Sequence, residues 1–420
     1  MGSFRTIILA AKTLPQIEAH TSMTDTQTGS HRVAAAVLTA AYYASLLILG
    51  LETGAEGPSL PTLARHTFSG LDRISLIFIT GSIGYLLGSL IGGRIYDRLP
   101  GHRVMAASLL VMLVTAVVYP LAAALWILLA AAFIMGLGKG ALDVGCNTLL
   151  QWQRGDNAGP YLNGLHFAFG LGSFFSPILL AQIILRTQDI YWVFWTIAIV
   201  MLPVMLWLWV LPSPHPAAHT SNGNGARVPL VPVVLIMLAL FLYVGAEIGF
   251  SSWLYTYAIT LQLADAVQAA YLTSGFWALF TFGRLLGIWI ATRFGSRPIL
   301  FLDLAGCLIS LVLIWVAPHS LPVLWAGSMG LGFSMASIFP TVLILAGERL
   351  RVSGTVTGWF LLGSGAGGML LPWLIGNALG SVGPLAMIAL IFIDIVLNLL
   401  VLLLFMYGTA APEQPVSSPS

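Results

Sequence analysis

The sequence predicts an all-α integral membrane protein whose twelve transmembrane helices form two pseudo-symmetric bundles of six. Three observations predict it. Of the 420 residues, 58% are hydrophobic and only 8% are charged, with a mean hydropathy of +0.93. That is too little charge to cover a water-soluble globule. Apolar runs of about 20 residues, the length that crosses a hydrocarbon core, occur in two sets of six. The second set repeats landmarks of the first at a nearly constant offset.

The elements follow in order. Residues 1–32 are mixed polar, and the patch TIILAA between Arg5 and Lys12 is too short to span. A disordered tail is expected there, and Met23 is a second possible start besides Met1. The first bundle, 33–211, is expected to hold spans near 33–56, 74–96, 103–123, 125–149, 160–185 and 190–211. Residues 212–230 include PSPHPAAHTSNGNGARVP, which has the composition of a linker. The second bundle, 231–408, is expected to hold spans near 231–257, 268–291, 298–317, 321–346, 355–380 and 384–407. A short tail, 409–420, closes the chain. Placing both termini and the linker in the cytoplasm puts Arg5, Lys12, Arg32, Arg94, Arg98, Arg103, Arg154, Arg227, Arg293, Arg297, Arg349 and Arg351 inside. Only Arg65, Arg73 and Arg186 are then outside, the orientation that the positive-inside rule requires.

A shift of 195 residues lays Gly50, Glu52 and Gly54 on Gly245, Glu247 and Gly249, Gly88 and Gly92 on Gly283 and Gly287, and Arg98 on Arg293. With one residue fewer, Arg103 falls on Arg297, the GLG of 136–138 on that of 330–332, and Gly164 on Gly358. Glycines alone could match by chance in so glycine-rich a chain. The glutamates and loop arginines match as well, the signature of a duplicated six-helix unit.

The loop after the second span reads GGRIYDRLPGHR, which resembles the G-x-x-x-D-R-x-G-R-R signature of the major facilitator superfamily with one extra residue. GRLLGIWIATRFGSR is similar to its degenerate second copy, with Thr292 in place of the aspartate. More narrowly, GLGKGALDVGCNTLL, LNGLHFAFGLGSFFSP and FLYVGAEIGFSSWLYTYA resemble the sodium-dependent glucose transporter subgroup. SIFPTVLILAGERL with GGMLLPWLIG resembles bacterial fucose permeases. These resemblances imply a sugar moved together with a cation. In the loop, Gly93 is expected to allow close helix approach, Asp97 to cap a helix or pair with an arginine, and Arg98 and Arg103 to anchor at the anionic leaflet. Asp97, Arg98, Arg103, Arg293 and Arg297 are expected to gate the inner face. Arg284, with Asp303 and Glu348, is expected to belong to the second copy of that network.

Ionisable groups at membrane depth are costly and are therefore candidates for function. They are Glu52, Glu56, Lys139, Asp143, Glu247 and Asp394, with His166. Helical rise puts Asp143 and His166 at a shared depth, roughly 10–12 Å from the inner ends of the fourth and fifth spans. Asn147 and Asn163 lie one turn nearer the cytoplasm, and Lys139 one turn above Asp143. The ladder could be a closed pair, Lys139 with Asp143 four residues on, or Asp143 could meet Arg98. Against a purely structural role, the 194-residue offset replaces Lys139, Asp143, Asn147 and His166 by Phe333, Ser337, Thr341 and Phe360. Asp143 and Asn147 are therefore the expected coupling-ion residues, holding Na+ or H+. His166, Asn163, Glu247, Trp253, Tyr257, Glu52 and Lys139 are the expected substrate residues. Carboxylates and rings suit a sugar's hydroxyls and C–H faces, although Trp253 and Tyr257 could equally form an interfacial belt. Glu56, at the outer mouth, is expected to be solvated, and Asp394 with Asn398 to make interhelical hydrogen bonds.

GLGKGAL lacks the Ser/Thr and the preceding strand of a phosphate loop, and no metal-ligand spacing or serine elbow occurs. The protein is therefore expected to be no enzyme, with no cofactor, no structural metal and no nucleic-acid partner. Cys146 and Cys307 fall within apolar spans and are expected to be free. A monomeric secondary active transporter is expected, working by alternating access in the lipid bilayer of a bacterial inner (plasma) membrane and taking up a monosaccharide with Na+ or H+. The alternatives are a proton-coupled exporter of drugs or amphipathic lipids, and a membrane receptor or sensor that does not transport.

Overall fold

The structure, a computed structural model, describes residues 25–187, 189–214, 230–350 and 354–408. The segments 1–24 and 409–420, and most of the expected linker, lie outside the described residues. Among the described residues, twelve helices are long and apolar enough to cross a membrane: α1 (Asp25–His66), α2 (Leu71–Tyr96), α3 (Gly101–Leu121), α4 (Leu125–Arg154), α5 (Ala158–Thr187), α6 (Tyr191–Val210), α7 (Leu230–Thr260), α8 (Ala266–Ala291), α9 (Ser296–Val316), α10 (Leu321–Arg349), α11 (Gly354–Ser381) and α12 (Leu385–Gly408). In hydrocarbon each backbone polar group must be satisfied within its own segment, so long apolar runs become helices. Both cysteines are free and buried.

The expected ends move in two places. Helix α1 starts inside the expected N-terminal tail and runs past Glu56, through Pro58 and Pro61, to His66. It stops where Phe68 takes a left-handed φ of 51° and Ser69 N–H reaches back to the Ala64 carbonyl, 2.9 Å. Helix α7 ends in the same way, with Gln262 at φ 56° and Leu263 N–H on the Ala258 carbonyl, 3.0 Å. These are Schellman-type ends, 194 residues apart. The expected single tenth span is broken in two, Leu321–Met335 and Ile338–Arg349. Pro340 has no N–H to give the Ala336 carbonyl, so one bond of the helical ladder is missing at the break.

The chain forms two compact units, Met1–Ser69 with Thr80–Thr220, and Gly70–Ile79 with Ser221–Ser420. The first turns of α2 thus group with the second unit. In the first unit α5 lies against α1 and α4 against α2, backbone to backbone. A Cβ at Gly50 would strike the Phe169 carbonyl, one at Gly88 the Leu137 carbonyl, and one at Gly140 the Tyr85 carbonyl. In the second unit α11 lies against α7, with Gly367 on the Phe241 carbonyl, and α10 against α8, with Gly332 on that of Phe276. Small residues at such faces permit the close approach through which membrane helices gain their packing energy. Within the second unit Ser75 meets α11, where Asn377 Nδ2 lies 3.5 Å from its Oγ, and the Phe78 ring packs 5.9 Å from that of Trp253.

The same contacts fix the register of the repeat. Gly88 faces Leu137 and Gly283 faces Phe333, Gly92 faces Ala141 and Gly287 faces Ser337, and Gly136 meets Gly81 as Gly332 meets Phe276. Carrying α2 onto α8 by 195 residues therefore carries α4 onto α10 by 196, not the 194 that aligning the GLG triplets requires. The counterparts of Lys139, Asp143 and Asn147 are thus Met335, Phe339 and Leu343, in place of Phe333, Ser337 and Thr341. The asymmetry remains, and it sharpens: all three counterparts are apolar.

Candidate functional site

Two clusters of charge lie in the first unit. On α4, Asp143 is held from both sides. The Tyr85 hydroxyl of α2 donates to its Oδ2, and Asn147, one turn on, donates from Nδ2 to Oδ1 at 2.9 Å. Tyr85 reaches it because α2 and α4 touch at Gly84, Gly88, Gly136 and Gly140, which leaves no side chain between the helices. Both partners are neutral. Asp143 therefore pairs with neither Lys139 nor Arg98, correcting both structural alternatives: Lys139 turns toward α1, where a different carboxylate accepts it.

That carboxylate is Glu56, whose Oε2 lies 3.4 Å from Lys139 Nζ. Glu56 is thus only 23% exposed rather than solvated, because α1 continues past it as helix. Glu52, one turn earlier on the same face, lies within electrostatic reach of both. It is buried, and its Oε2 has no hydrogen-bond donor. One ammonium thus serves two carboxylates.

The matching position in the second unit is closed. Glu247 lies 4.0 Å from Arg284 of α8, whose guanidinium stacks 4.4 Å over the Phe280 ring. The Tyr243 hydroxyl, bonded to the Met335 carbonyl at 2.9 Å, lies beside the same carboxylate. Arg284 is therefore no part of a loop network, and Asp303 and Glu348 do not join it. Asp303 accepts from the Ser337 hydroxyl at 2.6 Å and Glu348 from that of Ser296 at 2.8 Å. Among the described residues, the ion pairs are Lys139 with Glu56 and Arg284 with Glu247.

The other expected residues separate. Trp253 is fully buried: its indole N–H donates to the Pro372 carbonyl at 2.8 Å, and Phe78 and Gly376 close over it. It is neither a sugar platform nor an interfacial belt residue but part of the α7–α11 contact. Tyr257 is likewise buried, and its hydroxyl has no partner. His166 and Asn163 lie on α5 with exposed side chains, and the donors on Asp143 come from α2 and α4 instead. In and beside the loops after α2 and α8, Asp97, Arg98, Arg103 and Arg297 are exposed, and Arg293 stacks 4.3 Å over Trp289. Asp97 does not cap α3, whose N-cap is Pro100, with no side-chain bond to the cap. Gly93 faces open space, whereas Gly92 makes the close contact, with Ala141. One residue along a helix turns the side chain by roughly 100°.

Sequence reasoning missed Tyr85. The signal was present: it lies on the glycine face of α2, four residues after Gly81 and three before Gly88, so packing that face on α4 must bring its ring against the polar ladder.

Residues 42–372 match the family described as the Major Facilitator Superfamily. The chain belongs to this superfamily. It is therefore a multi-pass membrane transporter rather than an enzyme. Among curated relatives, it is 26% identical to sodium-dependent glucose transporter 1 of Danio rerio over 89% of this chain and 70% of that protein. It is 28% identical to sodium-dependent glucose transporter 1 of Xenopus laevis over 77% and 72%. It is also 23% identical to human major facilitator superfamily domain-containing protein 4A over 88% and 92%. Among solved structures it resembles a variant of the nucleoside transporter NupG, with TM-score 0.69 at 14% identity over 90% of this chain and 100% of that one. A bacterial homolog of the human lysosomal transporter Spinster, inward-facing and unoccupied, gives TM-score 0.68 at 12% identity over 91% and 99%. At these identities the structural likeness concerns the fold.

Proposed function

We propose that this transporter takes up a monosaccharide together with a monovalent cation, Na+ or H+, by alternating access. Asp143 carries this reading. It is an intramembrane carboxylate that accepts from the neutral donors Tyr85 and Asn147, and among the described residues no ion pair reaches it. A carboxylate so placed has a charge for a mobile cation to neutralise, and it can hand its hydrogen bonds over when that cation arrives. The names of the curated relatives at 26–28% identity favour sugar and sodium. In this reading Glu52, Glu56 and Lys139 offer the sugar both donor and acceptor groups. His166 and Asn163 add polar side chains on α5. The exposed loop residues Asp97, Arg98, Arg103, Arg293 and Arg297 gate the inner face, and both termini lie in the cytoplasm of a bacterial cell. Coupling follows if cation and sugar together favour a closed state that neither favours alone.

The test is uptake of labelled hexoses by proteoliposomes under an inward gradient of sodium, of protons, or of neither, with counterflow exchange as the uncoupled control. Accumulation under one gradient identifies the ion. Exchange without accumulation under either gradient removes the coupling, and no exchange of any hexose removes the sugar.

A further inference from the structure

Helix α12 holds a buried acid that the site above does not use. Asp394 is 5% exposed, and its Oδ2 has no hydrogen-bond donor. Asn398, one turn on and therefore on the same helix face, is fully buried. It donates from Nδ2 to the Ala239 carbonyl of α7 at 3.2 Å, yet its Oδ1 also lacks a donor. Two buried acceptors one turn apart, each wanting a donor, share one economical remedy. A hydrogen on Asp394 would turn the carboxylate into a hydroxyl donor, and Asn398 Oδ1, four residues on along the same helix face, is an acceptor that lacks one. Rotating the Asn398 amide does not help, because it would set two carbonyl oxygens against each other at Ala239.

The surroundings favour the neutral acid. The carboxyl is buried, and among the described residues no ion pair reaches it. On the helices packed against α12, the charged groups already have other partners: Glu247 of α7 is with Arg284, and Asp303 of α9 is with Ser337. Arg297 of α9 is exposed, and Arg349 of α10 is spent on the Phe405 carbonyl, some three turns further along α12. An ionised carboxylate so placed would be an unpaired buried charge, the costliest of the available states. A metal cation would need a fuller shell of oxygens than these two residues offer. Among the described residues, no group of three or more acidic, histidine or cysteine side chains could hold a metal ion.

We propose that Asp394 is a proton-binding site of the second unit. It is occupied in this state, with the acid hydroxyl donating to Asn398 Oδ1 and Asn398 passing the bond on to the Ala239 carbonyl of α7. The proton thereby completes a three-member relay joining α12 to α7, independently of Asp143. The measurement is infrared spectroscopy of the intact transporter in lipid, in H2O and D2O. The expected result is a neutral-carboxyl C=O band, shifted by deuterium and absent from Asp394→Asn. That variant should melt where the parent does, since an amide can also donate to Asn398. Asp394→Leu, which has no donor, should melt lower. If Asp394→Asn is not recovered, Asp394→Glu should move the band. No band lost or moved by these variants, or a band that disappears when sodium is added, overturns the proposal.

Discussion

Replacing Asp143 by asparagine tests the transport reading most directly, because it removes the charge while keeping the shape. The native carboxylate accepts two hydrogen bonds, one from Tyr85 and one from Asn147. An amide can accept one of them at its carbonyl, but it turns an N–H toward the other donor. The expected structural cost is therefore one charge-assisted bond, about 1.5–3 kcal/mol, which a twelve-helix protein should survive folded. The transport cost should be complete. A tenfold inward gradient of one coupled cation stores about 1.4 kcal/mol and supports about tenfold accumulation of a neutral solute. Without a charge to recognise the cation, the accumulation ratio should fall to about 1, while downhill exchange continues because the sugar-facing groups are untouched. The assay is the accumulation ratio in proteoliposomes beside counterflow, with size-exclusion behaviour as the folding control. An Asp143→Asn protein that accumulates hexose as the parent does would make Asp143 scaffold, and the coupling scheme would fall with it.

Other substitutions test the assignments that the structure revised. Trp253→Phe should cost about 1 kcal/mol, through the lost bond to Pro372, and should leave the hexose KM unchanged. A raised KM with unchanged melting would return Trp253 to the substrate site. Arg284→Gln leaves Glu247 buried without its cation, and should destabilise by about 3–5 kcal/mol. Glu247→Gln added to it should restore most of the loss in thermal melting, whereas additive losses would show that the two side chains do not interact. Gly140→Leu, driven into the Tyr85 carbonyl, should abolish folded yield, while Gly93→Leu, facing open space, should be recovered normally. Equal yields would refute the α2–α4 contact.

How far the sequence could be read depended on whether a property was local or required a partner. Span lengths follow from hydrocarbon thickness and the need of each backbone group for a partner, so composition and run length sufficed to find twelve helices. The duplication was equally legible, because glycines, glutamates and loop arginines recur along the chain. Register was not. An offset read from the GLG triplets differs by two residues from the one set by Gly88 on Leu137 and Gly283 on Phe333, and two residues on a helix turn a side chain most of the way to the opposite face.

Partners were still less legible. The ladder of Lys139, Asp143 and Asn147 announced itself as polar groups in an apolar run, and that part the sequence by itself determined. Only the tertiary structure decided that Lys139 serves Glu56 of α1, that Tyr85 of α2 holds Asp143, that Arg284 neutralises Glu247, and that Trp253 is sealed by Pro372. The physical reason is that hydrogen bonds and ion pairs reach only 3 to 4 Å. Spacing along a helix limits which neighbours of the same helix can meet, but which foreign helix comes within that distance is set by how closely the glycine faces let the backbones approach.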